Sequence, residues 1–168
     1  MDDTLDPHPR KKRGPKDPDS VTEATVAAMK LLTRRSHARQ ELRRKLRASG
    51  FTVRAVENAL ETCTEKKWLD DQSFAQHNAT LLIEGGKHGP RYIIEKLVQH
   101  GVQRSLAEQV VETLGQDINW TERAKLLLEK KLGDDETPDL ADLARARRFL
   151  GARGFELSHI FAALPDRS

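Results

Sequence analysis

Three glycines, each followed by an apolar residue, constrain this chain more than any other feature. Gly50-Phe51, Gly101-Val102 and Gly154-Phe155 lie 51 and 53 residues apart. The surrounding apolar positions keep step with them. Leu46, Leu97 and Leu150 stand four residues before the glycine; Leu42, Ile93 and Ala146 stand eight before it. On the other side, Val56, Ala107 and Ile160 follow six after, and Leu60, Val111 and Leu164 ten after. A doublet further upstream also recurs, as Leu31-Leu32, Leu81-Leu82 and Leu127-Leu128. Steps of four put residues on one face of an α-helix. A glycine ending such a helix supplies the left-handed C′ conformation without a Cβ penalty, and the next apolar residue packs back. The chain therefore reads as three copies of a helix–turn–helix core.

Each copy is expected to hold three helices, over 20–34, 37–49 and 52–66, then 70–86, 90–100 and 104–114, then 117–132, 139–152 and 156–164. Ser20-x-x-Glu23 forms a capping box, after which Val21, Ala24, Ala28, Leu31 and Leu32 line one face. Asp70 serves as an N-cap with Leu69 and Phe74 as a hydrophobic staple, Pro90 suits a first helical position, and Asp117 caps the third copy. No alternating run of β-branched residues and no Asn-Gly turn suggests a strand. Aromatic residues make up only 5% of the chain, so a unit of this size is marginal alone and neighbours should contact one another. The expected fold is all-α: tandem three-helix repeats over 20–66, 67–116 and 117–168, arranged as an elongated, curved stack. Residues 1–19 hold four of the seven prolines and little that is apolar, which predicts a disordered tail. Its "PRKKRGPK" segment could graze DNA, but a solubilising role is preferred.

Formal net charge is only +3, yet the charge is unevenly placed. Between Arg34 and Arg47 there are seven Arg or Lys residues and one acid, Glu41, whereas Asp134, Asp135 and Glu136 gather elsewhere. On a helix over 37–49, Ala38, Leu42, Leu46 and Ser49 share the buried face. Arg39, Arg43 and Arg47 form an adjacent stripe that Arg44 extends. Only Glu41 compensates locally, through Lys45 four residues on. An ordinary solvated face is the usual meaning of a charge run. The single sign of this one favours an anionic partner.

Other candidates for chemistry fall away. Cys63 shares a face with Val56, Ala59 and Leu60, as a core thiol would, and one cysteine permits no internal disulfide. That usage fits the cytoplasm. No apolar run is long enough for a membrane span, and no hydrophobic stretch follows the N-terminal charges as in a secretory signal. His37, His77, His88, His100 and His159 lack metal-ligand spacing, and "GGKHGP" at 85–90 lacks the phosphate-loop pattern. Asp70, Asp71 and Asp117 read as caps rather than as a catalytic pair, and Trp68 and Trp120 as packing at repeat junctions. No catalytic residue, metal or cofactor is assigned.

The segments "SHARQELRRKLRASGF", "WLDDQSFAQH", "GPRYIIEKLVQHGV" and "RRFLGARGF", in that order, resemble signature segments of RecX regulatory proteins. The resemblance runs from about residue 27 to 164. It implies tandem three-helix repeats and a cytoplasmic, non-enzymatic regulator of the RecA recombinase. Such a regulator binds the RecA–single-stranded-DNA filament along its groove and suppresses ATP hydrolysis, strand exchange and coprotease activity. Many relatives carry Ser where this chain has Ala38. Losing that cap costs about 1 kcal/mol, unless Ser36 starts the helix earlier.

The partner expected is therefore RecA in its filament, met by a monomer with weak direct DNA binding as a side activity. Contact is assigned first to Arg39, Arg43, Arg44 and Arg47, then to Arg91 and Lys96, and to Arg145, Arg147, Arg148 and Arg153. The alternative is a helix-turn-helix-like module acting directly on DNA, for which only Gln40 lies near to read base edges.

Overall fold

The computed structural model describes residues 14–132 and 140–164. Within them the chain forms α1 (Val21–Leu32), α2 (Arg39–Ala48), α3 (Val53–Glu65), α4 (Asp71–Glu84), α5 (Pro90–Gln99), α6 (Arg104–Gly115), α7 (Trp120–Leu132), α8 (Leu140–Ala152) and α9 (Leu157–Ala163). No strand occurs among the described residues. The extensive helix packings all fall within consecutive threes, α1–α3, α4–α6 and α7–α9. Each three closes over its own apolar cluster, centred on Leu42, Leu46 and Leu60, on Ile93, Leu97 and Val111, and on Leu150, Phe155 and Ile160. These are the repeat positions counted from the glycines, so the period found in the sequence is the period of the core. The acids Asp134, Asp135 and Glu136 and residues 1–13 lie outside the described residues.

The glycine turns behave alike. Gly50, Gly101 and Gly154 have φ of 101°, 95° and 77°. The following amide donates to the leucine carbonyl five residues back in every copy: Phe51 to Leu46 (3.4 Å), Val102 to Leu97 (3.0 Å) and Phe155 to Leu150 (3.2 Å). The glycine amides donate to Arg47, Val98 and Gly151, completing a Schellman motif at each site. Phe51, Val102 and Phe155 are all buried.

The same turns are where one unit meets the next. A Cβ on Gly154 would lie 2.1 Å from the Tyr92 nitrogen, and one on Gly101 would lie 2.9 Å from the Glu41 nitrogen. Tyr92 and Glu41 occupy matching positions in the first turns of α5 and α2. Each second helix therefore rests its N-terminus on the glycine turn of the following unit. Two backbone bonds fasten the later junction, from the Gly89 amide to the Arg153 carbonyl (2.8 Å) and from the Arg91 amide to the Gly154 carbonyl (3.1 Å). Amides left free at the start of α5 thus meet carbonyls left free at the end of α8. At the earlier junction the donor is the Arg39 amide, and the acceptor is the Asp71 carboxylate of α4, at 2.7 Å. Ala38, the N-cap of α2, makes no side-chain cap, and Asp71 of the next unit accepts from the first amide of the helix, which an N-cap side chain does not reach. Ala38 itself packs in the second core.

Four expectations change. Residues 14–19, assigned to the disordered tail, form a turn bound to the start of α3. The Thr52 amide donates to the Pro18 carbonyl (2.9 Å), the Thr52 hydroxyl to Asp19 (2.6 Å) and Arg54 to Asp19 (2.7 Å). Pro15 covers Gly50, in the place that the second helix of a preceding unit takes at Gly101 and Gly154. The cap before α7 is Asn119, which accepts from the Glu122 amide at 3.0 Å, not Asp117. Leu69 packs in the first core and Phe74 in the second, so they anchor α4 to two units instead of stapling its start. Trp120 bridges the second and third cores as expected, but Trp68 is 42% exposed, its ring facing Lys66 at 5.1 Å.

The link from α3 to α4 ends in another Schellman motif, with Lys67 instead of glycine at C′ and φ of 56°. The Trp68 amide donates to Cys63 and the Lys67 amide to Thr64, both at 2.9 Å. A side chain in that region costs roughly 1 kcal/mol. Lys67→Gly should therefore raise stability by about 0.5–1 kcal/mol, read as a higher thermal midpoint. An unchanged or lower midpoint would refute the strain assigned to Lys67.

Candidate functional site

The arginine stripe of α2 is not the free cationic face that its spacing suggests. Arg43 grips Glu57 of α3 through two bonds, Nε to Oε1 at 2.6 Å and Nη2 to Oε2 at 2.8 Å, and its Nη1 donates to Gln40 at 2.6 Å. Arg39 lies 3.7 Å from the same carboxylate and donates to the Thr64 hydroxyl at 3.1 Å. The hydrogen bonds that Arg43 donates to Glu57 raise the Arg43 pKa and lower that of Glu57. Arg47 spends its guanidinium on the Phe51 carbonyl of its own glycine turn. Only Arg44 in this stripe is exposed with no side-chain partner among the described residues.

Glu41 compensates more than Lys45. It is 8% exposed and accepts from both terminal nitrogens of Arg35 and from Lys45 at 3.0 Å. Burial pushes its carboxyl up, but the bonds from Arg35 and Lys45, and the charge there, hold it below the ordinary glutamate value. Buried His37 completes the group. Its Nδ1 donates to the Arg35 carbonyl (2.9 Å), which leaves Nε2 to accept from Lys45 (2.8 Å). Burial also pushes the His37 pKa down, in keeping with a neutral ring. This group anchors the α1–α2 loop. Asp71, beside Arg39, has its carboxyl pushed up by burial despite the Arg39 amide and charge.

The third unit repeats one of these contacts in different chemistry. Arg147 stands seven before Gly154, as Arg43 stands seven before Gly50. Where Arg43 meets Glu57, Arg147 sits 5.1 Å from the ring centroid of Phe161, the matching residue of α9. Arg145 pairs with Asp142. Arg148, in the register of Arg44, is exposed with no side-chain partner among the described residues. In the second unit that register holds Glu95, which pairs with Arg104 at 2.8 Å.

The remaining three assigned residues converge on the second junction. Arg91 is exposed beside the bonds that join α5 to α8. Lys96 lies 5.6 Å from the Tyr92 ring centroid. Arg153 lies 3.9 Å from the Phe149 centroid, and its Nε is buried without a hydrogen-bond partner among the described residues. The Tyr92 ring also stacks on His88 at 3.8 Å with 7° between the planes. Along the sequence, Lys87 and His88 stand in the "GGKHGP" turn with no binding pattern. Their tie to Arg153 depends on a contact across more than sixty residues, which no local pattern announces. The ten assigned residues thus form three surfaces and not one stripe.

The described residues hold no cluster of His, Cys, Asp or Glu suited to a metal ion. Cys63 is buried, and burial pushes its thiol up, away from reactivity. His100 caps α5 and meets Phe74 edge-on at 6.3 Å. No helix among the described residues is long and apolar enough to cross a membrane.

Comparison with known proteins places these features in context. Family models match residues 24–63, described as "RecX, first three-helix domain", and residues 118–164, described as "RecX, third three-helix domain". The regulatory protein RecX of Vibrio parahaemolyticus is 37% identical over 138 residues, 82% of this chain and 87% of that protein. The one from Xanthomonas citri is 33% identical over 162 residues, 96% and 95% of the two chains. The crystal structure of RecX from Lactobacillus salivarius superposes with a TM-score of 0.75 at 19% identity, covering 85% of this chain and 93% of its own.

Proposed function

The chain belongs to the RecX family, and we propose that it binds the RecA–single-stranded-DNA filament in the cytoplasm and lowers RecA ATPase, strand exchange and coprotease activity. The observation that carries this reading is the extent of the similarity, which spans all three units and both junctions in proteins named as regulators. A linear array of like units suits a partner that is itself repeated along an axis. Each junction then holds successive contacts at a set spacing, and bridging neighbouring protomers opposes the movements that ATP turnover requires. Regulation of this kind needs no active site.

The direct DNA-reading alternative fares less well. Gln40, the one side chain near the stripe able to read a base edge, is held by Arg43, and Arg43 is held by Glu57. The stripe therefore offers little for sequence readout.

Titrating this protein into an ATPase assay of the cognate RecA on single-stranded DNA should lower the rate to a plateau. An unchanged rate at saturation would refute the proposal. The residues to reverse are Arg44 and Arg148, since Arg43 and Arg47 serve the fold. The double variant Arg44→Glu, Arg148→Glu should keep its thermal midpoint and need about tenfold more protein for half-inhibition, a loss of roughly 1.4 kcal/mol. An unshifted half-inhibition point would remove these two side chains from the contact.

A further inference from the structure

Several cations of this protein are neutralised by acids close by in the fold. Arg39 and Arg43 share Glu57, Arg35 and Lys45 share Glu41, Arg104 takes Glu95, and Arg54 takes Asp19. At the junction between the second and third units, cations gather without such a partner. The backbone clamp there brings the turn before α5 against the end of α8, so Lys87, His88 and Lys96 come together with Arg153. After burial, the influences on the His88 ring are Arg153, Lys87 and Lys96, all positive, and together they hold its pKa down. None of these three cations makes an ion pair among the described residues.

The site is also built, in that its side chains are held in place. The Tyr92 ring stacks on the His88 ring and also meets the Lys96 ammonium, and the same tyrosine covers Gly154. Arg153 is pressed on Phe149, whose ring also meets Lys131 at 4.8 Å. Both His88 Nδ1 and Arg153 Nε are buried without partners among the described residues, an arrangement that costs free energy in the unbound protein. Holding three like charges together without an acid costs more.

We propose that this junction is a phosphate-binding site for the backbone of single-stranded nucleic acid, with Lys87, Lys96 and Arg153 neutralising phosphodiesters and Tyr92 and His88 as their rigid support. This rests on the reading that the chain works on a nucleoprotein filament, and it assigns the nucleic-acid contact to this junction instead of the α2 stripe. Flexible ammonium groups around aromatic rings suit a strand whose phosphates are mobile. A protein carboxylate is the competing occupant.

The test is fluorescence anisotropy of labelled oligothymidylate, without RecA, over a range of salt concentrations. Against wild type, Lys87→Ala with Lys96→Ala should bind about tenfold more weakly, and the slope of log K against log salt should fall by about 1.4. Arg54→Ala with Arg104→Ala, which removes the same formal charge at cations already paired with Asp19 and Glu95, should leave affinity within about twofold and the slope unchanged. Equal losses in the two double variants would show a diffuse field and overturn the site. So would the absence of wild-type binding at low salt, or wild-type binding by the junction variant. Loss of RecA inhibition with oligonucleotide binding intact would assign the cations to a protein carboxylate, and would also overturn it. The ATPase titration with wild type is scored separately, so failure of the regulatory reading is distinguishable from failure of this site.

Discussion

Gly154→Ala is expected to destabilise the protein by roughly 3–5 kcal/mol and to free the third unit from the second. Two costs combine. A side chain at φ of 77° costs about 1 kcal/mol. The new Cβ would also stand 2.1 Å from the Tyr92 nitrogen and 2.7 Å from its Cα, and backbone there cannot yield without moving α5. Relief requires opening the junction, which gives up the Gly89–Arg153 and Arg91–Gly154 bonds, worth about 1 kcal/mol each. In an array whose units touch only their neighbours, the damage should stay local. Amide exchange should therefore accelerate over 140–164 while α1–α3 keep their protection. The other turns grade the effect. Gly101→Ala meets the Glu41 amide at 2.9 Å and should cost less, and Gly50→Ala meets only the Pro15 side chain at 3.2 Å and should cost about 1 kcal/mol. Gly151, with nothing within 4 Å, should tolerate alanine and gain about 0.5 kcal/mol. A uniform cost across the three turns would mean that the junctions carry no close packing.

Glu41→Gln should cost about 1–3 kcal/mol at neutral pH, more than a surface ion pair would suggest, because the carboxylate is buried while its partners are only half-covered. The amide can still accept a bond, but it leaves Arg35 and Lys45 facing each other beside a neutral His37. The pH dependence gives the sign. The folded Glu41 carboxyl lies below the unfolded value of about 4.3, so its contribution is complete above that value. It is lost as pH falls through the folded pKa. Denaturant midpoints of wild type and Glu41→Gln should therefore differ most at neutral pH and converge in acid. A gap that stays constant with pH would show that the loss is packing and not charge.

Much of this architecture is legible in one sequence because its determinants are local and periodic. The helices begin and end within about three residues of where spacing and caps put them, since a glycine C′, an apolar step of four and an Asp70 cap act over a single turn. Cys63 falls in the core for the same reason. The errors are equally physical. Asp117 and Asn119 are both competent caps, and only the path of the Trp120 chain between two cores selects the latter. Trp68 was expected to pack because it is large and sits at a junction, but a Schellman turn at Lys67 directs it outward.

The candidate site was legible only as a list of cations. Local pattern yields the three units, the helix ends and most of each core, because those depend on neighbours within a few positions; it errs at Ser49, which is exposed, and at Ala38, which packs in the second core. Only the tertiary structure decided which cations are free. Glu57 silences Arg43 from fourteen residues away, Asp71 holds the first amide of α2 from the next unit, and Arg153 reaches His88 across a junction. Charge compensation is set by distance through space, and no periodic pattern along the chain records it.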